Sequence, residues 1–202
     1  MRRHDDLRRR PASRDPRRRI LVVCEGEVTE PKYFHGLRRG LRNPAIEIEI
    51  DEQHGTPKTL VARAATRKKE AAREAIRQRD AFLAYDEVWC VFDVDDHPLL
   101  PDAKQQARDN GISLAISNPC FELWALLHFC DQTAEQPRQR VRQLLKTYIP
   151  DYDKELPAPT LMPHLEKAMA RARHLEHLAD LAGEPGKNPS TGVHLLIERI
   201  VT

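Results

Sequence analysis

The sequence predicts an α/β protein built on a parallel sheet of about four strands flanked by helices, with a C-terminal helical extension. Three observations carry this. Ile20-Leu21-Val22-Val23-Cys24 and Val88-Trp89-Cys90-Val91-Phe92 are short apolar runs without alternation, the pattern of strands buried on both faces. Helical patterns separate the strand-like runs, as parallel pairing requires. Each of the two runs ends in acids, Glu25-Gly26-Glu27 after the first and Asp93-Val94-Asp95-Asp96 after the second. Ligands of open α/β sheets bind at the carboxyl edge, and carboxylates crowded there repel one another unless a cation sits between them. The pattern therefore predicts a divalent metal site.

The elements follow in order. Ile20 to Cys24 is the first strand, and Thr29 as N-cap with Pro31 in the first turn starts a helix through Tyr33, Phe34, Leu37 and Leu41. Ala45 to Ile50 alternates Ile with Glu, which marks an edge strand with one solvated face. Pro57 opens a long helix to about Arg79, with a narrow apolar stripe for the sheet. Glu87 to Phe92 is the second buried strand, Asp102 to Asn110 a short helix stopped at Asn110-Gly111, and Ile112 to Ile116 a further strand. From Asn118 the pattern is helical: Phe121 to Phe129, Arg138 to Tyr148, Leu161 to Leu181, and Thr191 to Ile200 capped by Ser190. Asn118 before Pro119 suits a cap, with Glu122 in the first turn that follows.

At 202 residues the chain holds one compact α/β domain with a helical extension and no second full domain. Three segments result: an Arg-rich tail over 1–19 expected to be disordered alone, an α/β core over 20–117, and a helical part over 118–202. The tail carries nine arginines against Asp5, Asp6 and Asp15, a local +6, so the chain's net +2 leaves −4 on the rest. Clustered arginine is rewarded by counterion release on a polyanion, so the tail serves either as a solubilising segment or as a grip on nucleic acid. No apolar run approaches the ~20 residues of a membrane span, and no apolar segment of a signal peptide follows the arginines. A soluble, cytoplasmic protein is expected. Cys24, Cys90, Cys120 and Cys130 show neither a C-x-x-C pair nor zinc-site spacing, and three of them lie inside apolar stretches and read as small buried apolar residues in a reducing compartment.

The motifs CEGEVTE, VFDVDDHP, SNPCFELWALLHF and NPSTGVHLLIERI, in this order over residues 20 to 202, resemble the RloB-like family, whose core is similar to the Toprim fold. The resemblance implies a Mg2+-dependent (or Mn2+-dependent) phosphodiester enzyme. Its catalytic residues would be Glu25, Asp93 and Asp95, with the aspartates on the metal and the glutamate on the metal or in acid/base work. By position in related nucleases a further acid falls on Glu30, with Glu27 competing, and Asp96 stands as a second metal ligand or a supporting group. The resemblance also implies a place in bacterial anti-phage or abortive-infection loci beside an ABC-type or AAA-type ATPase.

The chemistry asks for the same residue types. Phosphodiester cleavage develops charge on several oxygens, which hard cations held by a few carboxylates stabilise. Asp93 and Asp95, two apart, share one side of an extended segment. Around them, Gly26 allows close approach of a phosphate or metal, and Lys32, Asn118, Glu122 and Ser190 are candidate substrate contacts. Each has a plainer role open to it, as turn, cap or surface charge. Phe121 and Trp124 read as core, and His97 as a loop residue beside the aspartates. The substrate is DNA or RNA, tRNA included; homo-oligomerisation is compatible with the sequence. The alternative is a non-catalytic nucleic-acid-binding or regulatory subunit of an ATPase-containing complex, its acidic pocket holding a structural cation or serving an interface.

Overall fold

The computed structural model describes residues 17–41, 43–51, 53–94 and 100–202. Within them the chain alternates β1 (Arg18–Cys24), α1 (Thr29–Leu41), β2 (Ile46–Asp51), α2 (Pro57–Gln78), β3 (Glu87–Asp93), α3 (Leu100–Asn110) and β4 (Ser113–Asn118). It then turns mainly helical, through α4 (Glu122–Leu127), α5 (Arg138–Tyr148), α6 (Ala158–Leu161), α7 (Leu165–Leu181), β5 (Ser190–Thr191) and α8 (Val193–Val201). The sheet order is β2-β1-β3-β4-β5, with the first four strands parallel and β5 antiparallel to β4. A mostly parallel sheet with helices on both faces is compatible with a Rossmann-like fold.

The apolar runs of β1 and β3 lack alternation because both faces of the sheet are covered. Ile20, Val22, Cys24, Trp89 and Val91 point into one core with α1, α4, α5, α7 and α8. Leu21, Val23, Val88, Cys90 and Phe92 point into the other, against Leu60, Val61 and Ala64 of α2 and Ala103 and Ala107 of α3. Alanines on α2 and α3 let those helices approach the sheet closely. Ile20 through Val23 are fully buried, each such side chain contributing roughly 1.5–3 kcal/mol of transfer free energy. β2 is an edge strand, as its Ile/Glu alternation predicts, and Asp51 at its end is tied to Arg63 and Arg67 of α2 at 2.8 and 2.7 Å. Phe121 and Trp124 are core residues, and Tyr33, Phe34, Phe121, Trp124 and His128 pack edge-on around one another. Burial holds the His128 imidazole neutral, its pKa pushed down to about 4. All four cysteines are free thiols, three of them buried.

Several elements differ from the sequence reading. The sheet has a fifth strand, because Ser190 and Thr191 pair with Asn118 and Ser117 instead of starting a helix. α8 therefore begins at Val193, with Gly192 as its N-cap. Leu161–Leu181 is not one helix: Pro163 removes an amide donor, and a 3-10 turn at Met162–His164 separates α6 from α7. Asn118 does not cap α4, whose N-cap is Phe121; its side-chain amide donates to the Gly186 carbonyl at 2.9 Å. β1 starts at Arg18, so the last two residues of the Arg-rich segment belong to the sheet. Arg19 lies 4.7 Å over the Tyr85 ring and 3.1 Å from Glu49, and Arg18 lies 3.0 Å from Glu87. Residues 1–16 of that segment, with Asp95, Asp96 and His97, lie outside the described residues. No helix among the described residues is long and apolar enough to cross a membrane.

Candidate active site

Parallel pairing of β1 with β3 sets Cys24 against Val91, so the residues that follow each strand emerge together at the carboxyl edge. The pairing runs one residue past β1, the Glu25 amide donating to the Val91 carbonyl at 2.9 Å. Asp93 closes β3, and its amide donates to Glu25 Oε2 at 2.9 Å. Glu30 enters from the first turn of α1 and Glu122 from the first residue of α4. Four carboxylates from four elements thus line a cleft of about 260 Å³, together with Gly26, Glu27 and the cations Arg138, Arg142 and Lys154.

Burial and mutual repulsion set the charge states. Asp93 is pushed up to about 8, first by loss of water and then by Glu30, Glu122 and Glu25, against a lowering pull from Arg138. Arg138 Nη2 stands 3.5 Å from Asp93 Oδ2, while Oδ1 is buried with no hydrogen-bond partner among the described residues. Glu30 is also raised, by burial and then by Glu122 and Glu25, against backbone hydrogen bonds that include one from Gly26. Glu122 goes the other way. Burial opposes its charge, but Arg142 Nε at 2.7 Å and the Tyr152 hydroxyl at 2.9 Å both donate to its Oε1 and hold it below the usual range.

The predicted site residues divide accordingly. Glu25, Gly26, Glu30, Asp93 and Glu122 meet in one cleft, and exposed Glu27 lies on its rim. Lys32, Asn118 and Ser190 do not line it. Lys32, two residues past Glu30 and so on another side of α1, pairs with Glu155 at 2.9 Å. Ser190 sits with Thr191 in β5, and the Thr191 hydroxyl bonds that of Ser117 at 2.9 Å. Sequence reasoning missed Arg138, Arg142, Tyr152 and Lys154. The first two were within reach, since arginines four apart beside the buried pair Val141 and Leu145 place two cations on one side of α5.

Among the described residues no group of three or more His, Cys, Asp or Glu is arranged to hold a metal ion. The donor chemistry suits a hard cation all the same. Glu25, Glu30 and Asp93 offer only oxygens, and the unpartnered Asp93 Oδ1 is the kind of buried atom a cation would satisfy.

Gly26 shapes this arrangement directly. A Cβ built on it would overlap the Glu30 carboxylate, the far end of a flexible side chain. Gly26→Ala should leave stability within about 1 kcal/mol while turning that carboxylate out of the cleft. Denaturant melts beside a divalent-cation titration would check this; unaltered cation binding would count against a role for Glu30.

Fold and site together define an α/β protein with an acidic cleft at the carboxyl edge of a largely parallel sheet. The family model described as RloB-like protein matches residues 20–200, and the chain belongs to the RloB-like family. No curated protein and no solved structure matches it.

Proposed function

We propose that the protein is a divalent-metal-dependent nuclease of the cytoplasm, acting on DNA or RNA as the effector of a bacterial anti-phage system and working with an ATPase partner. The observation that supports this best is the Glu25–Asp93 pair, joined through the Asp93 amide and carrying a buried, unpartnered carboxylate oxygen beside Glu30. Asp93, Glu25 and Glu30 would hold Mg2+ or Mn2+, with Asp95 and Asp96 as further candidates. The bound cation would supply charge stabilisation at the phosphodiester oxygens. Arg138 and Lys154 line the same cleft and suit a phosphate drawn towards the acids. Burial, and after it repulsion from Glu30, Glu122 and Glu25, favours the protonated form of Asp93 and keeps the cation-free cleft closer to neutral.

Purified protein, alone and with any ATPase found to be encoded beside it, is to be offered single-stranded, duplex and transfer RNA and DNA with Mg2+ or Mn2+. Cleavage lost in both Glu25→Gln and Asp93→Asn is the expected result. Cleavage of none of these, or cleavage indifferent to both substitutions, would overturn the reading.

A second reading, a binding or regulatory subunit, draws on Arg142 and Tyr152 engaging Glu122 and on Arg138 facing Asp93. These contacts offset part of the cleft's charge without a metal. It requires that Asp93→Asn with Asp95→Asn keep the biological effect, and that Mg2+ leave the melting temperature unchanged.

A further inference from the structure

The acid cleft does not end at Arg142. A second depression of about 330 Å³ adjoins it, sharing Glu122, Arg142 and Lys154 and continuing over Gln139, Gln143 and Lys146. Gln139, Arg142, Gln143 and Lys146 fall at i, i+3, i+4 and i+7 of α5, one stripe of the helix, and all four are exposed. Val141 and Leu145, both fully buried, fix the helix so that this stripe faces solvent. Among the described residues neither Lys146 nor Lys154 makes an ion pair, although Asp153 lines the same depression. The stripe thus offers amide and cationic donors, which suit phosphate and sugar oxygens whatever the base. From Gln139 to Lys146 it spans about 10 Å at 1.5 Å per residue.

The floor of the cleft argues for the form of the strand. Asp93 is recessed, its side chain only 14 % exposed, in a cleft that residues 25–28 and Arg138 and Arg142 of α5 also line. Phosphates of a rigid duplex lie on a convex surface, whereas a single strand bends to bring one phosphate down while neighbouring ones follow the groove. We propose that single-stranded nucleic acid enters the acid cleft along α5, with Gln139, Gln143 and Lys146 tracking its backbone beside Arg142. This rests on the nuclease reading for its direction of travel but is tested by binding alone.

The test uses the full chain carrying Asp93→Asn, which keeps the probe intact, and fluorescence anisotropy with a labelled homopolymer of about twelve nucleotides, single-stranded or annealed to its complement. The expected result is about tenfold tighter binding of the single strand. Adding Gln139→Ala, Gln143→Ala and Lys146→Ala should weaken that binding about tenfold, and Lys146→Gln alone should flatten the salt dependence by about 0.7 in log–log slope. Equal affinity for the duplex overturns the proposal, as does unchanged affinity and slope in both variants. Single-strand binding along α5 with no metal-dependent cleavage by the unaltered protein sinks the nuclease reading and leaves this one standing. Cleavage with a preference for duplex does the reverse.

Discussion

Asp93→Asn should stabilise the metal-free protein at alkaline pH and abolish any metal-dependent activity. In the folded chain the carboxyl keeps its proton up to about 8, against an ordinary value of 3.8, because it is buried and faces Glu30, Glu122 and Glu25. Between those values the folded state holds a proton that the unfolded state releases. Stability contributed by this group is therefore complete below about pH 4, falls as pH rises towards 8, and is flat beyond. A shift of this size corresponds to a penalty on the order of 3–5 kcal/mol above pH 8, since each unit is worth about 1.4 kcal/mol and part of the field relaxes. Asparagine has the same shape and no charge to bury, so the variant lacks that slope. Denaturant melts in chelator at pH 4 and pH 9 measure it: the curves should nearly coincide at the lower pH and separate at the higher, with the variant more stable. Parallel behaviour would show that Asp93 is hydrated and the cleft open. Adding Mg2+ at pH 9 should narrow the gap by stabilising only the unsubstituted protein.

The sequence makes the acids legible because strand direction alone places them. Once β1 and β3 are read as parallel and buried on both faces, Glu25 and Asp93 must emerge on the same edge, and the starts of α1 and α4 bring Glu30 and Glu122 back to it. Nothing in the local pattern shows which way a side chain turns after the strand ends. Lys32 follows Glu30 closely in sequence, yet two residues along a helix is a rotation of about 200°, which carries it away from the cleft. Asn118 and Ser190 pair with each other across β4 and β5, a contact between residues 72 apart. A two-residue strand has no periodicity to read; its pairing with β4 defines it. The break at Pro163 was visible as a residue, but apolar spacing on both sides masked its effect. The spacing of Arg138 and Arg142 shows two cations on one side of α5, but that Arg142 and Tyr152 meet Glu122 follows only from the folding of α5 and the loop after it, which is tertiary information.

That contact carries the second large effect. Glu122→Ala should cost about 2–4 kcal/mol, more than a typical surface change, for reasons that separate by partner. The Tyr152 hydroxyl is buried with its residue only 4 % exposed, so losing its carboxylate acceptor leaves a desolvated donor with the Thr29 hydroxyl as its neighbour, worth roughly 1–3 kcal/mol. Arg142 has nearly half its side chain in solvent and rehydrates, so its share is smaller. Because Arg142 and Tyr152 hold the folded carboxyl below its usual range, the stabilisation is present above the unfolded value and is lost as pH falls through the folded one. The gap between the unsubstituted protein and Glu122→Ala should therefore close in acid, opposite in sense to Asp93. Glu122→Gln separates a clamp from a substrate ligand. Glutamine keeps an oxygen for both donors, so a clamp predicts that most stability and substrate binding along α5 survive. If binding is lost while the melting temperature holds, Glu122 touches the substrate itself, and α5 is positioned by its apolar face alone.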